Sequence, residues 1–317
     1  MKAAIVEQAG RPPVFGDFEA PAAAPGLAVV RVAAAAISHV AKSRASGAHY
    51  SADGCLPMIP GLDGVGFDER GRRVYFVLPE APHGAMAQRS LVEVRRCIAV
   101  PDGLSDTDAA AMAIPGMSSW AALVERAQLR AGETVLINGA TGASGRLAIQ
   151  IARHLGARKV VATGRSATSL HALRALGADV TISLTQEPGA LEQAFEDEFT
   201  RGVDVVLDYL WGPSAEALII AAAKAGPEAV AIRYVQIGAI SGGDITLPGA
   251  ALRSSALQLM GSGIGSIPQP RILAAIRGVL EAAPAAGFKV STRLLPLAEV
   301  ATAWDAGDAE SRLVLVP

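Results

Sequence analysis

Between residues 133 and 240, apolar runs of about five residues alternate with helix-length stretches of ten or more, and no other feature restricts the fold as tightly. Strands are expected at Thr134–Asn138, Lys159–Thr163, Val180–Ser183, Val203–Asp208 and Ala231–Ile237. Helices are expected at Ala143–Leu155, Ser166–Leu176, Gly189–Phe199 and Pro213–Ala225. Joining strand to strand through a helix leaves them parallel, so this segment predicts βαβ units on a parallel sheet.

Elsewhere the pattern changes. Before about residue 115 the apolar runs are short and cut by Gly and Pro, at Ala3–Val6, Leu27–Ala36, Val74–Leu78 and Leu91–Val94, and read as strands joined by turns. Beyond the alternating segment come an apolar run at Leu257–Met260, a helix near Pro270–Ala283, and β character again at Lys289–Leu294 and Val314–Val316. The economical arrangement returns the tail to the first unit. It places residues 1–115 and 288–317 in a β-rich domain and 116–287 in an α/β domain with a doubly wound parallel sheet. A chain of 317 residues suffices for two such cores.

Charge and composition narrow the function. The 28 basic and 30 acidic residues form no long block of one sign, which argues against a nucleic-acid or membrane partner. Cys55 and Cys97 are too few for a disulfide framework or a cysteine-rich zinc lobe. MKAAIVEQAG carries no apolar targeting core, and no run of about 18 uncharged apolar residues follows, so a soluble cytoplasmic protein is expected. His83, His154 and His171 belong to no constellation and read as structural or surface residues.

The run Val135-Leu136-Ile137-Asn138-Gly139-Ala140-Thr141-Gly142-Ala143-Ser144-Gly145-Arg146 is an apolar strand entering a glycine-rich turn and then an amphipathic helix. It resembles the dinucleotide fingerprint, with Ala140, Gly142 and Gly145 at the three glycine positions. Gly142 would let the backbone approach a pyrophosphate, Gly145 would let helix and strand pack closely, and the helix N-terminus would offer unpaired N–H groups. Ala140, Thr141, Gly142, Ala143, Ser144 and Gly145 are therefore candidate cofactor contacts. No Lys-Ser or Lys-Thr closes the turn, which excludes a P-loop, and no Tyr is followed four residues later by Lys, which argues against a short-chain dehydrogenase. The following strand ends Ala162-Thr163-Gly164-Arg165-Ser166, with no acidic residue before Asp179. A carboxylate there would repel a 2′-phosphate. The set Gly164, Arg165 and Ser166 would bind one, favouring NADPH, unless Arg165 is an ordinary surface charge.

At this point the chain resembles the medium-chain dehydrogenase/reductase superfamily and its zinc-free quinone oxidoreductase-like group. The carriers are Leu56-Pro57-Met58-Ile59-Pro60-Gly61-Leu62-Asp63-Gly64-Val65-Gly66, Met117-Ser118-Ser119-Trp120, the Gly139–Gly145 turn, the Gly202–Asp208 strand and the tail Leu295-Pro296-Leu297-Ala298-Glu299-Val300. The resemblance implies a GroES-like catalytic domain from both termini around a Rossmann NADP(H)-binding domain. Zinc-dependent relatives hold their metal with a Cys and a His where this chain has Ser38 and Leu62, and neither side chain suits a tetrahedral zinc site. By the same resemblance Ser38 is the candidate catalytic residue, near the nicotinamide and the substrate oxygen. Ser43 stands where quinone reductases often carry a substrate-facing Tyr. His39, His49 and Tyr50 lie in the same stretch as candidate substrate contacts, with packing or rim roles the alternative. Ser118 is implied as a nicotinamide contact. The strand ends that border the crevice, Asp208-Tyr209, Ile237-Gly238-Ala239 and Met260-Gly261-Ser262, add Asp208, Ile237, Gly238, Ala239, Gly261 and Ser262 as candidate cofactor contacts, with capping of the following helix or ordering of its turn as the alternative role of Asp208. Gly66–Val74 reads as a clipped hairpin with a charged turn.

What these readings imply together is an NADPH-dependent, metal-independent reductase of a quinone or of the activated C=C of an α,β-unsaturated carbonyl. The partner would be a small-molecule electron acceptor, and the family implies a homodimer formed near Leu247–Met260. A carbonyl or imine reductase on the same scaffold, or a non-catalytic NADPH-binding redox sensor, is the alternative.

Overall fold

The structure, a computed structural model, describes residues 1–48, 55–306 and 311–317. The chain divides into two compact units, one made of Met1–Ile114 with Leu280–Pro317 and one of Pro115–Val279.

In the unit made from both termini, strands β1 (Lys2–Ile5) and β2 (Val14–Asp17) pair antiparallel. β3 (Leu27–Ala36) runs with alternate residues Ala28, Val30, Val32 and Ala34 buried, the period-2 pattern of a sheet with one covered face. Helix α1 (His39–Ala45) follows it directly. β4 (Asp63–Phe67) and β5 (Arg73–Val77) form an antiparallel hairpin, and β6 (Arg89–Glu93) and β7 (Cys97–Ala99) complete the N-terminal set. The hairpin turn is the clipped, charged one expected. Asp68 accepts from the amides of Arg70 (3.0 Å) and Arg72 (2.8 Å) and from Arg72 Nε (2.7 Å), while Gly71 takes φ +75°.

Helix α2 (Asp106–Ala121) occupies a stretch where the sequence pattern suggests only strands and turns. Ser105 starts it. Its Oγ accepts from Asp108 N at 3.0 Å and pairs with the Asp108 carboxylate at 2.8 Å, a reciprocal cap. Pro115 sits inside the helix, and its carbonyl accepts from the hydroxyls of Ser118 (2.8 Å) and Ser119 (3.2 Å).

The second unit is built on β8 (Thr134–Asn138), β9 (Lys159–Gly164), β10 (Val180–Ser183), β11 (Val205–Asp208), β12 (Ile232–Gln236) and β13 (Leu257–Gly261). Its helices are α3 (Ala143–His154), α4 (Ala167–Arg174), α5 (Pro188–Thr200), α6 (Gly212–Ala225), α7 (Gly249–Arg253) and part of α8 (Gln269–Ala286). Among the described residues all its strand pairs are parallel, in the order β10-β9-β8-β11-β12-β13. This is the doubly wound order, with its reversal between β8 and β11. β8 is buried along its whole length, as a central strand covered on both faces must be. Leu136, Val161 and Val206 meet Phe195, Phe199, Leu218 and Ile219 in one core. Near this core Glu198, almost fully buried, is paired with Lys159 and with Arg201 Nη1 at 2.7 Å.

The tail adds β14 (Thr292–Pro296), α9 (Val300–Asp305) and β15 (Arg312–Val316) to the first unit. β15 pairs antiparallel with β3, giving the sheet order β14-β15-β3-β4-β5-β7, with β6 also on β3. Trp304 of α9 lies in the same core as Val30, Val32, Phe76 and Leu315.

Candidate functional site

In the second unit the glycine-rich turn stands at the carboxyl end of β8, beside the strand-order reversal. Gly139 takes φ +86°, its N–H donates to Thr163 Oγ1 (3.0 Å), and Ala140 N donates to Thr163 O (2.8 Å), so the turn is tied to the end of β9. A Cβ on Gly145 would lie 2.5 Å from Ala140 Cα and 2.6 Å from Gly139 O, whereas one on Gly142 would meet nothing within 4 Å. Gly145 closes the turn against α3. Gly142 leaves it open on the side where Ala143 and Ser144 begin the helix.

Arg146, to which sequence reasoning assigns no role, falls in the first turn of α3 and donates from Nε to Thr141 O at 2.9 Å. A cation at that end of a helix opposes the helix dipole unless an anion sits there as well. Gly164 packs against the same turn, since a Cβ on it would lie 2.4 Å from Thr141 Cγ2. Next to it Arg165 is exposed and makes no hydrogen bond or ion pair among the described residues. Ser166 caps α4 by accepting from Ser169 N at 3.2 Å, which leaves its hydroxyl proton free to donate.

At the other strand ends, Ile237 N (2.7 Å) and Gly238 N (3.1 Å) donate to Asp208 O, and a Cβ on Gly238 would lie 2.6 Å from Tyr209 O. Ser262 N donates to Gln236 O at 2.8 Å, Ala239 and Gly261 are exposed, and a Cβ on Gly261 would meet nothing within 4 Å. Asp208 is not the cofactor contact that the crevice suggests; it takes the alternative role of ordering its own turn, being fully buried and accepting from Leu210 N and Trp211 N as well as from Asn138 Nδ2 and Tyr234 OH. Its charge is turned into the fold. Tyr209, which the sequence places at a strand end on the crevice without assigning it a contact, has its hydroxyl 2.8 Å from Ser119 Oγ, and Ser118 also contacts it. Burial pushes the Tyr209 phenol up to about 12, against the lowering effect of both serines. The only sequence sign of this cluster is the Ser118-Ser119 pair opposite a Tyr at a strand end.

In the first unit, Ser38 is the N-cap of α1. Its Oγ accepts from Ala41 N at 3.0 Å, which leaves the hydroxyl proton to donate. His39 and Ser43, one helical turn apart on α1, line a cavity of about 390 Å³ with Arg11, Lys42, Ser46 and Trp304. The candidates His49 and Tyr50 lie outside the described residues. A second cavity, about 220 Å³, is lined by Leu62, Leu78, Arg44 and Arg96 among others.

Asp63, directly after Leu62, is buried and accepts from Tyr75 OH at 3.0 Å. Burial pushes its carboxyl up to about 7, opposed by that hydrogen bond and by the charge of Arg312. An unfolded Asp titrates near about 4, so between there and about pH 7 the folded chain holds the extra proton. That stabilisation is complete below about pH 4 and is lost as the pH rises through 7. Melting temperature should therefore fall across this range in the native chain and less steeply in Asp63→Asn; parallel curves from thermal scans at several pH values would contradict the assignment.

The comparisons with known proteins bear on the whole length. A family model described as zinc-binding dehydrogenase matches residues 143–281. A protein named as a probable NADPH-dependent quinone reductase from Emericella nidulans is 31% identical, over 100% of both chains. The chain belongs to the medium-chain dehydrogenase/reductase superfamily, in its quinone oxidoreductase-like group.

Among solved structures of this superfamily, the quinone oxidoreductase of Thermus thermophilus matches with a TM-score of 0.84 at 28% identity, over 100% of both chains. An NAD-dependent alcohol dehydrogenase matches with a TM-score of 0.86 at 25% identity, again over 100% of both. The two units are thus a GroES-like domain and a Rossmann domain, and the protein is an oxidoreductase. Zinc, which the family description names, does not fit the residues present. Ser38 offers only a neutral hydroxyl, already engaged in the α1 cap, where a thiolate would be needed, and Leu62, buried at 7% exposure, has no donor atom. Among the described residues no three His, Cys, Asp or Glu side chains converge on a metal site, and no helix is long and apolar enough to cross a membrane.

Proposed function

We propose that this oxidoreductase is an NADPH-dependent, zinc-independent reductase that delivers hydride to a quinone or to the activated double bond of an α,β-unsaturated carbonyl. The observation that carries the reading is the end of β9. Arg165 and Ser166 offer an unengaged guanidinium and a hydroxyl beside the glycine-rich turn, at the place where an NAD enzyme carries a carboxylate.

The N-terminal amides of α3 and the Arg146 guanidinium hold the pyrophosphate, and Arg165 with Ser166 holds the 2′-phosphate. NADPH, when bound, supplies the hydride. Ser118, together with the backbone of Ile237–Ala239 and Gly261–Ser262, orients the nicotinamide. Ser38 donates its hydroxyl proton as a hydrogen bond to the acceptor oxygen, which gains negative charge as the electron pair arrives. One proton from solvent or a side chain completes the hydroquinone or the saturated carbonyl product. With no metal to ionise an alcohol, the chain works by alignment and by this hydrogen bond, which suits acceptors that need little acid catalysis. His39 and Ser43 line the acceptor side. β13 is one of the two edges of the Rossmann sheet among the described residues, and pairing of two copies of this edge would form the homodimer.

The test is oxidation of NADPH, with NADH in parallel, against a naphthoquinone, a benzoquinone, a cyclic enone and an acyclic enal, after exhaustive metal chelation. Chelator-resistant turnover favouring NADPH is expected. Tight NADPH binding without turnover on any acceptor would move the reading to a non-catalytic redox sensor. Arg165→Glu should raise the NADPH dissociation constant about tenfold or more, roughly 1.4 kcal/mol, while changing NADH binding far less. Fluorescence titration of both nucleotides checks it, and equal losses for the two would remove the 2′-phosphate assignment.

A further inference from the structure

The cavity beside α1 has a charge pattern that the proposed reaction does not require. It is lined by Arg11, His39, Lys42, Ser43, Ser46 and Trp304 with two small residues, and among the described residues no carboxylate lines it. Lys42 Nζ lies 5.9 Å from the centroid of the Trp304 ring, whose own burial fixes the wall on which the ammonium rests. Neither Lys42 nor Arg11 makes an ion pair among the described residues. Two half-buried arginines of this unit are by contrast matched, Arg73 by Asp106 at 2.6 Å and Arg96 by Glu80 at 3.0 Å and Glu93 at 2.7 Å. At about 390 Å³ the space suits a ring or short chain rather than a bare ion.

We propose that this cavity selects electron acceptors that carry an anionic group, a carboxylate or phosphate, held by Lys42 and Arg11 with the Ser43 hydroxyl as a further donor. The inference rests on the reductase reading, because it names the class of substrate that reading leaves open. Unpaired cations in a concave wall raise the local concentration of an anion and lower its KM, while a neutral acceptor gains only contact with Trp304.

Two measurements test it apart from the reductase reading. The first compares kcat/KM for 1,4-naphthoquinone-2-sulfonate and for unsubstituted 1,4-naphthoquinone. The native chain should favour the sulfonate by about tenfold, and Lys42→Gln with Arg11→Gln should reduce that ratio to near one, with Lys42→Arg restoring most of it. Arg70→Gln, which removes a charge from the β4–β5 turn, should leave the ratio where it was. The second is calorimetric titration with naphthalene-2-sulfonate, which cannot be reduced and so reports binding alone. Binding that is lost in the double variant supports the cavity assignment even if no quinone is turned over. Reduction of both quinones at equal kcat/KM, with no heat from naphthalene-2-sulfonate, overturns it while leaving the reductase reading standing.

Discussion

Gly145→Val is expected to destroy nucleotide binding and to destabilise the Rossmann unit, although glycine-to-valine changes at exposed helix positions cost far less. The ideal Cβ at 145 would lie 2.5 Å from Ala140 Cα, 2.6 Å from Gly139 O and 2.8 Å from Ala140 C. All three are backbone atoms, so no rotamer change relieves the overlap. Either α3 moves away from the turn or the turn moves from β9, to which Thr163 ties it through two hydrogen bonds. Moving α3 also unseats Leu147, Ala148 and Ile151, which are fully buried. Overpacking of this kind costs about 3 kcal/mol or more, a fall of roughly 6–12 °C in melting temperature for a unit of this size. The NADPH dissociation constant should rise by about a hundredfold or more, because the amides at the start of α3 would no longer point where the pyrophosphate lies. Gly142→Ala separates the two effects. Its Cβ meets nothing within 4 Å and its backbone is extended, so it should keep the native melting temperature and still weaken NADPH binding. Thermal scans and fluorescence titration of the three proteins decide the matter; wild-type behaviour of Gly145→Val would show that the close approach is not needed.

The Rossmann unit was legible because its signals are local. Strand, turn and helix each carry their own periodicity, and β8 and β10 fall on the residues that the apolar runs mark. Helix α2 was not legible in the same way. Pro115 and Gly116 interrupt an alanine-rich run with two residues unfavourable inside a helix, yet Pro115 is tolerated there while two serine hydroxyls engage its carbonyl. The Ser105-to-Asp108 cap was the available sign, three residues apart in the sequence. Short strands such as β2 and β7 carry too few residues to show a period and exist because β1 and β5 present edges to them. Site residues divide similarly. His39 and Ser43 stand in one short stretch of sequence, whereas Arg11 and Trp304 reach the same cavity from opposite ends of the chain, a closeness that no spacing encodes.

Asp208→Ala should be the more destructive of two changes at a brace across the sheet. Asp208 is fully buried, with Oδ1 accepting from Asn138 Nδ2 (2.8 Å), Leu210 N (2.9 Å) and Trp211 N (3.1 Å), and Oδ2 accepting from Tyr234 OH (2.8 Å). Asn138 Oδ1 accepts in turn from Thr163 Oγ1 at 2.8 Å. The chain of contacts from Tyr234 in the middle of β12 through Asp208 and Asn138 to Thr163 therefore links β12, β11, β8 and β9, four consecutive strands, toward their carboxyl ends. It also supports a strained backbone, since Trp211 takes φ +58° and its amide is one of those the carboxylate holds. Truncation to Ala leaves buried donors on three segments without an acceptor, a loss of about 4 kcal/mol, or roughly 8–16 °C in melting temperature. Tyr234→Phe removes only one donor and leaves the carboxylate with its remaining partners, so about 1 kcal/mol is expected. In the double variant the phenol is no longer stranded, and the loss should be smaller than the sum of the two. Denaturant unfolding of the four proteins measures this coupling. A loss under about 1 kcal/mol for Asp208→Ala, or strict additivity, would mean that the four strand ends are held by main-chain pairing alone. NADPH affinity should drop in Asp208→Ala but not in Tyr234→Phe, because the former alone frees the Leu210 and Trp211 amides and with them the Leu210 side chain that packs against Gly139. The buried carboxylate thus acts on the cofactor through the turn it holds rather than by touching the nucleotide.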